Sequence, residues 1–214
     1  MEEMKAFFTA RVDLYDEHMI NEVEGCREAY GKMAELVPAG AETLLDLGCG
    51  TGLELEGIFK KHPGISVTGI DLTQAMLDKM LEKYPDKKLR AICGSYFDIP
   101  FETGGFDCAV SFQTMHHFTH SVKAGLYRKV WNALKDGGVY IECDYMVERQ
   151  QEEDFYFAEY ERLRRELNLP DNGFYHYDTP CTIENQIKLL KKAGFSGVEK
   201  VYRVGNTTIL VAHK

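Results

Sequence analysis

The stretch that decides the fold runs Thr43-Leu-Leu-Asp-Leu-Gly48-Cys-Gly50-Thr-Gly52-Leu53, a short apolar strand pattern that enters a glycine-rich turn and then a helix. Its three glycines let the backbone approach a ligand closely, and the helix start behind them offers free N–H groups and a positive dipole end. The spacing is GxGxG, with Leu53 where a dinucleotide-binding turn would place its third glycine. The turn therefore disfavours an NAD site and leaves other nucleoside ligands open.

Strands and helices alternate along the chain from residue 40 onward. Strands joined by helices imply right-handed crossovers and a doubly wound, mostly parallel sheet. The short segment around Gly205–Asn206 joins the last two strands without a helix, so a tight hairpin should make the final strand antiparallel. Short apolar, β-branched runs predict seven strands at Thr43–Leu47, Ser66–Ile70, Leu89–Cys93, Asp107–Phe112, Val139–Asp144, Val198–Arg203 and Thr208–Ala212. Helical patterns lie between the first five at Leu53–Lys61, Thr73–Tyr84 and Val122–Leu134.

Two segments lie outside this alternation. Residues 3–36 predict two helices, and residues 148–180 predict a helix followed by the aromatic loop LPDNGFYHYDTP. An insertion of that length between sheet elements is usually functional or disordered, and its aromatic content argues against disorder. We therefore expect one domain of 214 residues. Its parts are an N-terminal helical cover (1–39), a core (40–147 and 181–214) and a lid after the fifth strand (148–180).

Composition limits the classes of partner. The chain has 25 Lys and Arg against 34 Asp and Glu, a net charge of −9, which disfavours the cationic surface that nucleic-acid binding requires. Six cysteines show no CxxC spacing, and no apolar run approaches the roughly 20 residues of a membrane span. We expect a cytoplasmic monomer or homodimer that binds neither nucleic acid nor a membrane.

An acidic residue follows the glycine turn at an informative distance. Asp71 ends the second predicted strand, nineteen residues after Gly52. A carboxylate in that position can accept both hydroxyl groups of a ribose. The turn and Asp71 together therefore predict a nucleoside site.

Six motifs resemble, in order, those of the class I S-adenosylmethionine-dependent methyltransferase family: LLDLGCGTG, GIDLTQAML, CGSYFDIPF, FDCAVSFQTMHHF, LKDGGVYIECD and LLKKAGF. The resemblance covers essentially residues 40–214 and is closest to the small-molecule type. It implies a Rossmann-like sheet and transfer of a methyl group from S-adenosylmethionine, with S-adenosylhomocysteine as product.

The resemblance also implies the cofactor contacts. The loop from Gly48 to Gly52 would hold the methionine part, Asp71 the ribose, and Leu72 and Met76 the adenine or ribose. Ser95 stands where the family commonly has an acid for the adenine amino group, so Ser95 Oγ, the Tyr96 backbone or Asp98 must replace it. The full predicted cofactor set is Tyr15, Asp46, Gly48, Cys49, Gly50, Asp71, Leu72, Met76, Ser95, Tyr96, Ser111 and Phe112.

Candidates for acid–base chemistry follow the fourth and fifth strands, at the carboxyl edge where open α/β sheets bind ligands. They are His116, His117 and Asp144, with a structural role for each as the alternative. Substrate contacts are predicted for Tyr145, Tyr160, Tyr175 and His176, and packing of the lid is the alternative for these aromatic residues. No metal site is expected. Two other functions stay open: a non-catalytic cofactor-binding protein of the same fold, and an NAD-dependent oxidoreductase.

Overall fold

The computed structural model describes residues 1–170 and 173–214, so residues 171–172 of the predicted lid loop lie outside the described part. Seven strands are present: β1 Thr43–Leu47, β2 Ser66–Asp71, β3 Leu89–Cys93, β4 Phe106–Phe112, β5 Leu134–Tyr145, β6 Gly197–Val204 and β7 Thr207–His213. The helices are α1 Met4–Arg11, α2 Tyr15–Asn21, α3 Cys26–Leu36, α4 Leu53–Lys61, α5 Gln74–Lys83, α6 His120–Ala133, α7 Gln150–Glu166 and α8 Ile183–Ala193, with a 3₁₀ turn at Met115–His117.

The strands form one sheet in the order β3-β2-β1-β4-β5-β7-β6. Strands β1 to β5 pair in parallel, whereas β7 lies antiparallel to both β5 and β6. The predicted fold class is therefore confirmed. The strand order reverses between β1 and β4, and ligands bind beyond the carboxyl ends of the strands at such a point. The glycine loop follows β1, and the 3₁₀ turn follows β4, so both lie at this edge.

The N-terminal segment differs from the prediction of two helices over residues 3–36. The second predicted helix is α3, but the first is divided into α1 and α2. The division is stabilised from outside the segment, because Lys79 Nζ of α5 donates to the Val12 carbonyl at 3.0 Å. Gly25 then starts α3 with φ +80°, and a Cβ there would lie 2.9 Å from Val204. No glycine or proline marks the first break, which explains why the pattern did not reveal it.

Apolar packing covers both faces of the sheet. On one face α3 and α4 pack against β1 and β4, where Tyr30 stacks on Phe112 with ring centroids 4.0 Å apart. On the other face α6 and α8 pack against β5 and β7. Within the described residues, none of the helices combines the length and the apolar character needed to cross a membrane.

Candidate functional site

The glycine loop after β1 is held in a conformation that side chains disfavour. Gly48, Gly50 and Gly52 all have positive φ, at +70°, +48° and +71°. A Cβ on Gly48 would lie 2.6 Å from Thr114 Oγ1, so the loop backbone lies directly against the segment that follows β4. Glycine is required here both for φ and for space. The loop thus presents bare backbone to the adjoining cleft.

Asp71 connects the loop to the start of α5. Its Oδ2 accepts from the Gly50 backbone N–H at 3.0 Å, and its Oδ1 accepts from that of Thr73 at 2.8 Å. Burial raises the pKa of Asp71 to about 6, and the two backbone donors oppose that shift. Each carboxylate oxygen has two acceptor positions, so Asp71 can still accept from a ligand hydroxyl on each oxygen.

A second acid, Asp46, lies beneath the loop in a pair with the buried Glu54. Burial, together with neighbouring Glu54, raises the pKa of Asp46 well above its usual range, and burial raises that of Glu54 to about 7. The raised pKa values mean that the two carboxyl groups share a proton, so the pair contributes fewer than two negative charges beneath the loop.

The cleft beside the loop contains part of the predicted cofactor set. Gly48, Asp71, Leu72, Ser95 and Tyr96 all line it. Sequence analysis missed the residues that close its other sides: Met4, Phe8, Thr73, Gly94, Phe97, Thr114, Phe118 and Phe174. Most of these are aromatic or apolar, as a flat nucleobase requires. Some lie inside the quoted motifs, but Met4, Phe8 and Phe174 come from distant segments whose positions only the tertiary structure reveals.

Other predicted cofactor residues point their side chains elsewhere. Ser111 Oγ is hydrogen-bonded to Tyr140 Oη at 2.7 Å on one face of the sheet, and Phe112 packs on the opposite face. Successive residues of a strand point to opposite faces of the sheet. The two side chains therefore pack on those faces and do not line the cleft at the carboxyl edge of the strands. The Cys49 thiol packs towards Gly69 in the core, and Met76 is buried on α5. These four residues could contact a cofactor only through backbone or by rearrangement, and their predicted roles stay predictions.

The N-terminal cover is anchored on the glycine loop. The Tyr15 ring lies about van der Waals distance from Gly50, where a Cβ would be 3.7 Å from its Cε1. The neighbouring Asp16 carboxylate accepts from the Thr51 hydroxyl and pairs with Lys83. Tyr15, a member of the predicted cofactor set, therefore lies against the glycine loop, and its contact with the cofactor stays a prediction.

A larger pocket of about 900 Å³ opens next to the cofactor cleft. Phe8 and His117 line both cavities, so the pocket and the cleft adjoin and share part of their walls. The walls of the pocket come from the cover, the 3₁₀ turn, the end of β5 and the lid loop. Its lining combines aromatic residues with several carboxylates: Phe7, Phe8, Tyr15, Tyr145, Glu17, Glu22, Glu24 and Asp178.

The predicted acid–base residues meet in this pocket. His116 Nδ1 lies 2.5 Å from Asp144 Oδ1, and both side chains are almost fully buried. His116 Nε2 and His117 Nδ1 lie 3.5 and 3.4 Å from Asp178 Oδ1, a residue that sequence analysis missed. Burial acts to lower the pKa of His116, but the Asp144 carboxylate outweighs it and raises that pKa. Burial, assisted by the neighbouring His116, lowers the pKa of His117.

The predicted substrate residues divide into two groups. Tyr145 and His176 line the pocket, and His176 stacks on Phe7 with ring centroids 3.5 Å apart. Burial lowers the pKa of His176 to about 4, so this ring is neutral at pH 7. Tyr160 instead packs near Tyr177, and Tyr175 forms a β-bridge with Glu3. The pocket therefore contains Tyr145 and His176 but not the other two.

Comparisons with known proteins agree with this geometry. Residues 44–138 match the family described as a methyltransferase domain. A carboxy-S-adenosyl-L-methionine synthase of Helicobacter hepaticus is 25% identical over 228 residues, which cover 97% of this chain and 94% of that protein. An O-methyltransferase family 2 protein of Planctomyces limnophilus, solved in complex with apigenin, aligns with a TM-score of 0.72 at 15% identity over 99% of this chain. Human N-acetylserotonin methyltransferase in complex with S-adenosylmethionine aligns at 0.65 and 16% over 97%. This chain spans 62% and 55% of those two solved chains.

The sheet order and the glycine-loop site have the Rossmann-like arrangement that the motifs predicted. Residues 44–138 match a methyltransferase domain, and together with the curated relative this match confirms the predicted resemblance to the class I S-adenosylmethionine-dependent methyltransferases. The predicted cofactor, S-adenosylmethionine, is confirmed at the level of the family.

Proposed function

We propose that the protein transfers a methyl group from S-adenosylmethionine to a small-molecule acceptor whose nucleophilic atom arrives carrying a proton. The observation that carries this proposal is the buried His116–Asp144 pair in the wall of the acceptor pocket. The sulfonium of the cofactor supplies an activated methyl group for in-line displacement. Alignment of the two reactants alone can lower a barrier by about 7–11 kcal/mol, so the protein needs chiefly to position them.

The cofactor would lie along the glycine loop. Asp71 would accept the two ribose hydroxyls, since both of its oxygens keep acceptor capacity beyond their backbone donors. The Asp46–Glu54 carboxyl pair lies beneath the loop near Gly48, where the methionine end of the cofactor would lie. Aromatic and apolar residues of the cleft, such as Tyr96 and Phe174, suit the adenine.

His116 would remove the proton of the acceptor. Asp144 accepts the Nδ1 proton, which leaves the Nε2 lone pair available and stabilises the imidazolium that forms. The aromatic and acidic lining of the pocket favours an apolar or cationic acceptor, because rings also attract ammonium groups. The cover and the lid, which supply most of that lining, would then determine acceptor choice.

The test is His116→Gln, assayed by release of S-adenosylhomocysteine with panels of phenols, amines and thiols. We expect turnover to fall about 10²- to 10⁴-fold, the usual contribution of a general base. Affinity for S-adenosylhomocysteine, measured by calorimetry, should stay unchanged. His213→Gln, at an exposed histidine of β7, is the matched control. Full turnover in His116→Gln with an accepted substrate would refute the role of the base.

A second candidate is formation of carboxy-S-adenosylmethionine, favoured by the name of the Helicobacter hepaticus relative. That product carries an additional carboxylate at the sulfonium methyl, and a carboxylate is normally held by Arg or Lys. In the described part of the chain, no Arg or Lys lines the cofactor cleft, and Arg11 of the adjoining pocket is paired with Glu2. Mass spectrometry of the nucleoside that copurifies with the protein separates the two candidates.

The remaining expectations stay predictions: the division into cover, core and lid, the cytoplasmic location, the monomeric or dimeric state, and the absence of a nucleic-acid partner. The small-molecule acceptor belongs to the proposal above. The panel of phenols, amines and thiols would identify which atom of the acceptor is methylated.

A further inference from the structure

We propose that His116, His117 and Asp178 bind a divalent first-row transition-metal cation in the wall of the acceptor pocket. The inference goes beyond the proposed methyl transfer, which needs no metal, and it departs from the expectation of no metal site. One donor atom from each residue lies within 4.8 Å of the others. Both histidines come from the 3₁₀ turn after β4, whereas Asp178 comes from the far end of the lid insertion.

The separations suit a small coordination sphere. His117 Nδ1 and His116 Nε2 lie 3.4 and 3.5 Å from Asp178 Oδ1. A tetrahedral zinc site with bonds of roughly 2.0–2.1 Å places neighbouring ligand atoms about 3.4 Å apart. Two of the three separations therefore match with little movement.

The Asp144 carboxylate orients the imidazole ring of His116. Asp144 Oδ1 lies 2.5 Å from His116 Nδ1, so Asp144 would hold the Nδ1 proton and leave Nε2, which faces Asp178, to coordinate a cation. Metal-binding histidines almost always donate their second ring N–H to such a group, which fixes the tautomer and increases ligand basicity. Asp144 thus acts as a positioning residue for the cation site as well as for the base.

The acidic groups of the cluster outnumber its possible positive charges. Asp144 Oδ2 is buried without a hydrogen-bond partner, and Asp178 Oδ1 has only the two imidazole rings, 3.4 and 3.5 Å away, as neighbours. Even with one imidazole ring protonated, the two carboxylates leave the cluster with one negative charge. Buried charge of this kind is normally compensated by a counter-charge or a metal. A divalent cation would balance both carboxylates.

The donor atoms indicate which cations would bind and what chemistry a bound cation would supply. Two imidazoles and one carboxylate favour zinc, iron, cobalt or nickel over magnesium or calcium, which prefer oxygen ligands. Three protein ligands leave positions open towards the pocket, where an acceptor oxygen could coordinate. Coordination lowers the pKa of a bound hydroxyl, so acceptors with an oxygen nucleophile would be ionised by the cation while His116 Nε2 serves as ligand.

A second cluster of donor atoms serves as an internal control. His120, Glu153 and Cys181 also lie close together. There the Lys123 ammonium lies 3.2 Å from Cys181 Sγ, and Glu153 already accepts from Thr182 and Asn185. A buried ammonium group and satisfied carboxylate oxygens oppose a second cation at that position.

The experiment uses the full chain after treatment with a chelator. Titration with Zn²⁺ by calorimetry should give one equivalent per chain, and Co²⁺ should give a visible spectrum without thiolate charge transfer. Asp178→Asn and His117→Gln should each weaken binding at least about tenfold, and Asp144→Asn about 10- to 100-fold. His120→Asn should bind as the unmodified protein does. Thermal unfolding followed by circular dichroism shows whether each variant is folded.

Three results would overturn the proposal: no stoichiometric binding, unchanged binding in Asp178→Asn and His117→Gln, or a thiolate band together with loss of binding in His120→Asn. Metal affinity is measured without turnover, so the result does not depend on the identity of the methyl acceptor. With the cation bound, His116 Nε2 would be a ligand and the cation would replace it as the group that activates the acceptor. Loss of turnover in His116→Gln without metal binding would support the base, and stoichiometric metal binding would support the cation.

Discussion

Replacement of Asp71 by alanine tests the cofactor site most directly. The substitution removes the acceptor of the Gly50 and Thr73 backbone N–H groups and, in our proposal, the acceptor of two ribose hydroxyls. A hydrogen bond to a charged group contributes about 1.5–3 kcal/mol, so two ribose contacts amount to about 3–6 kcal/mol. At about 1.4 kcal/mol per tenfold change, the affinity for the cofactor should fall by roughly 10²- to 10⁴-fold.

Calorimetry with S-adenosylhomocysteine measures this loss, and thermal unfolding in parallel shows whether the variant is folded. Asp98→Asn is the matched control. Asp98 was the sequence-based alternative for the adenine contact, but it does not line the described cleft. A folded Asp71→Ala protein whose affinity changes less than about threefold would refute the ribose assignment, since that is under 1 kcal/mol.

The same site predicts a pH dependence. Burial raises the pKa of Asp71 to about 6 in the unliganded protein. Only the ionised carboxylate can accept on both oxygens, so affinity should decrease as the pH falls through about 6 and level off above it. In Asp71→Asn this dependence should be absent; a slope as steep as in the unmodified protein would assign it to another group.

Two further substitutions test the loop and the lid. Gly48→Ala should destabilise the protein by about 1–3 kcal/mol in urea unfolding, because φ is +70° and the Cβ would meet Thr114. The control Gly31→Ala, with open space around the glycine, should stabilise α3 by about 0.5–1 kcal/mol. Equal effects of the two would contradict the backbone argument. His120→Asn should lower the melting temperature most between about pH 4.5 and 6.5. Cys181 and Glu153 raise the pKa of His120 to about 9, and the pKa of Glu153 is about 2, so this pair stabilises the fold in that window and is lost as the pH rises through 9 or falls through 2. A difference in melting temperature that does not vary with pH would contradict the ion pair.

Local patterns predicted the strands well. The bounds of β1 and β3 match the sequence-based ranges, because each run is short, apolar and closed by turn residues. Other strands are longer in the structure than in the prediction, because pairing with a neighbouring strand extends their ends. In β5, for example, Leu134 pairs with Phe106 across a bulge. The break between α1 and α2 escaped prediction because a contact from α5 stabilises it.

The candidate site shows the same contrast between what a local pattern predicts and what tertiary contacts decide. His116 follows β4 and Asp144 lies near the end of the neighbouring parallel strand β5, so their proximity could be predicted from strand order alone. Asp178 could not, because no periodicity relates the lid loop to the turn after β4. For Ser111 and Phe112 the predicted contact is through backbone groups and stays a prediction, since a motif position does not indicate which face of a strand a side chain occupies.

The sequence by itself determined the architecture and the class of cofactor, because hydrophobic period and a glycine turn act over short distances. Only the tertiary structure decided the pocket that we propose for the acceptor. Its walls come from α1, the 3₁₀ turn, β5 and the lid loop, segments that meet through packing and ion pairs between residues far apart in the chain. Contacts of that kind depend on the geometry of the folded chain, which a local pattern does not encode.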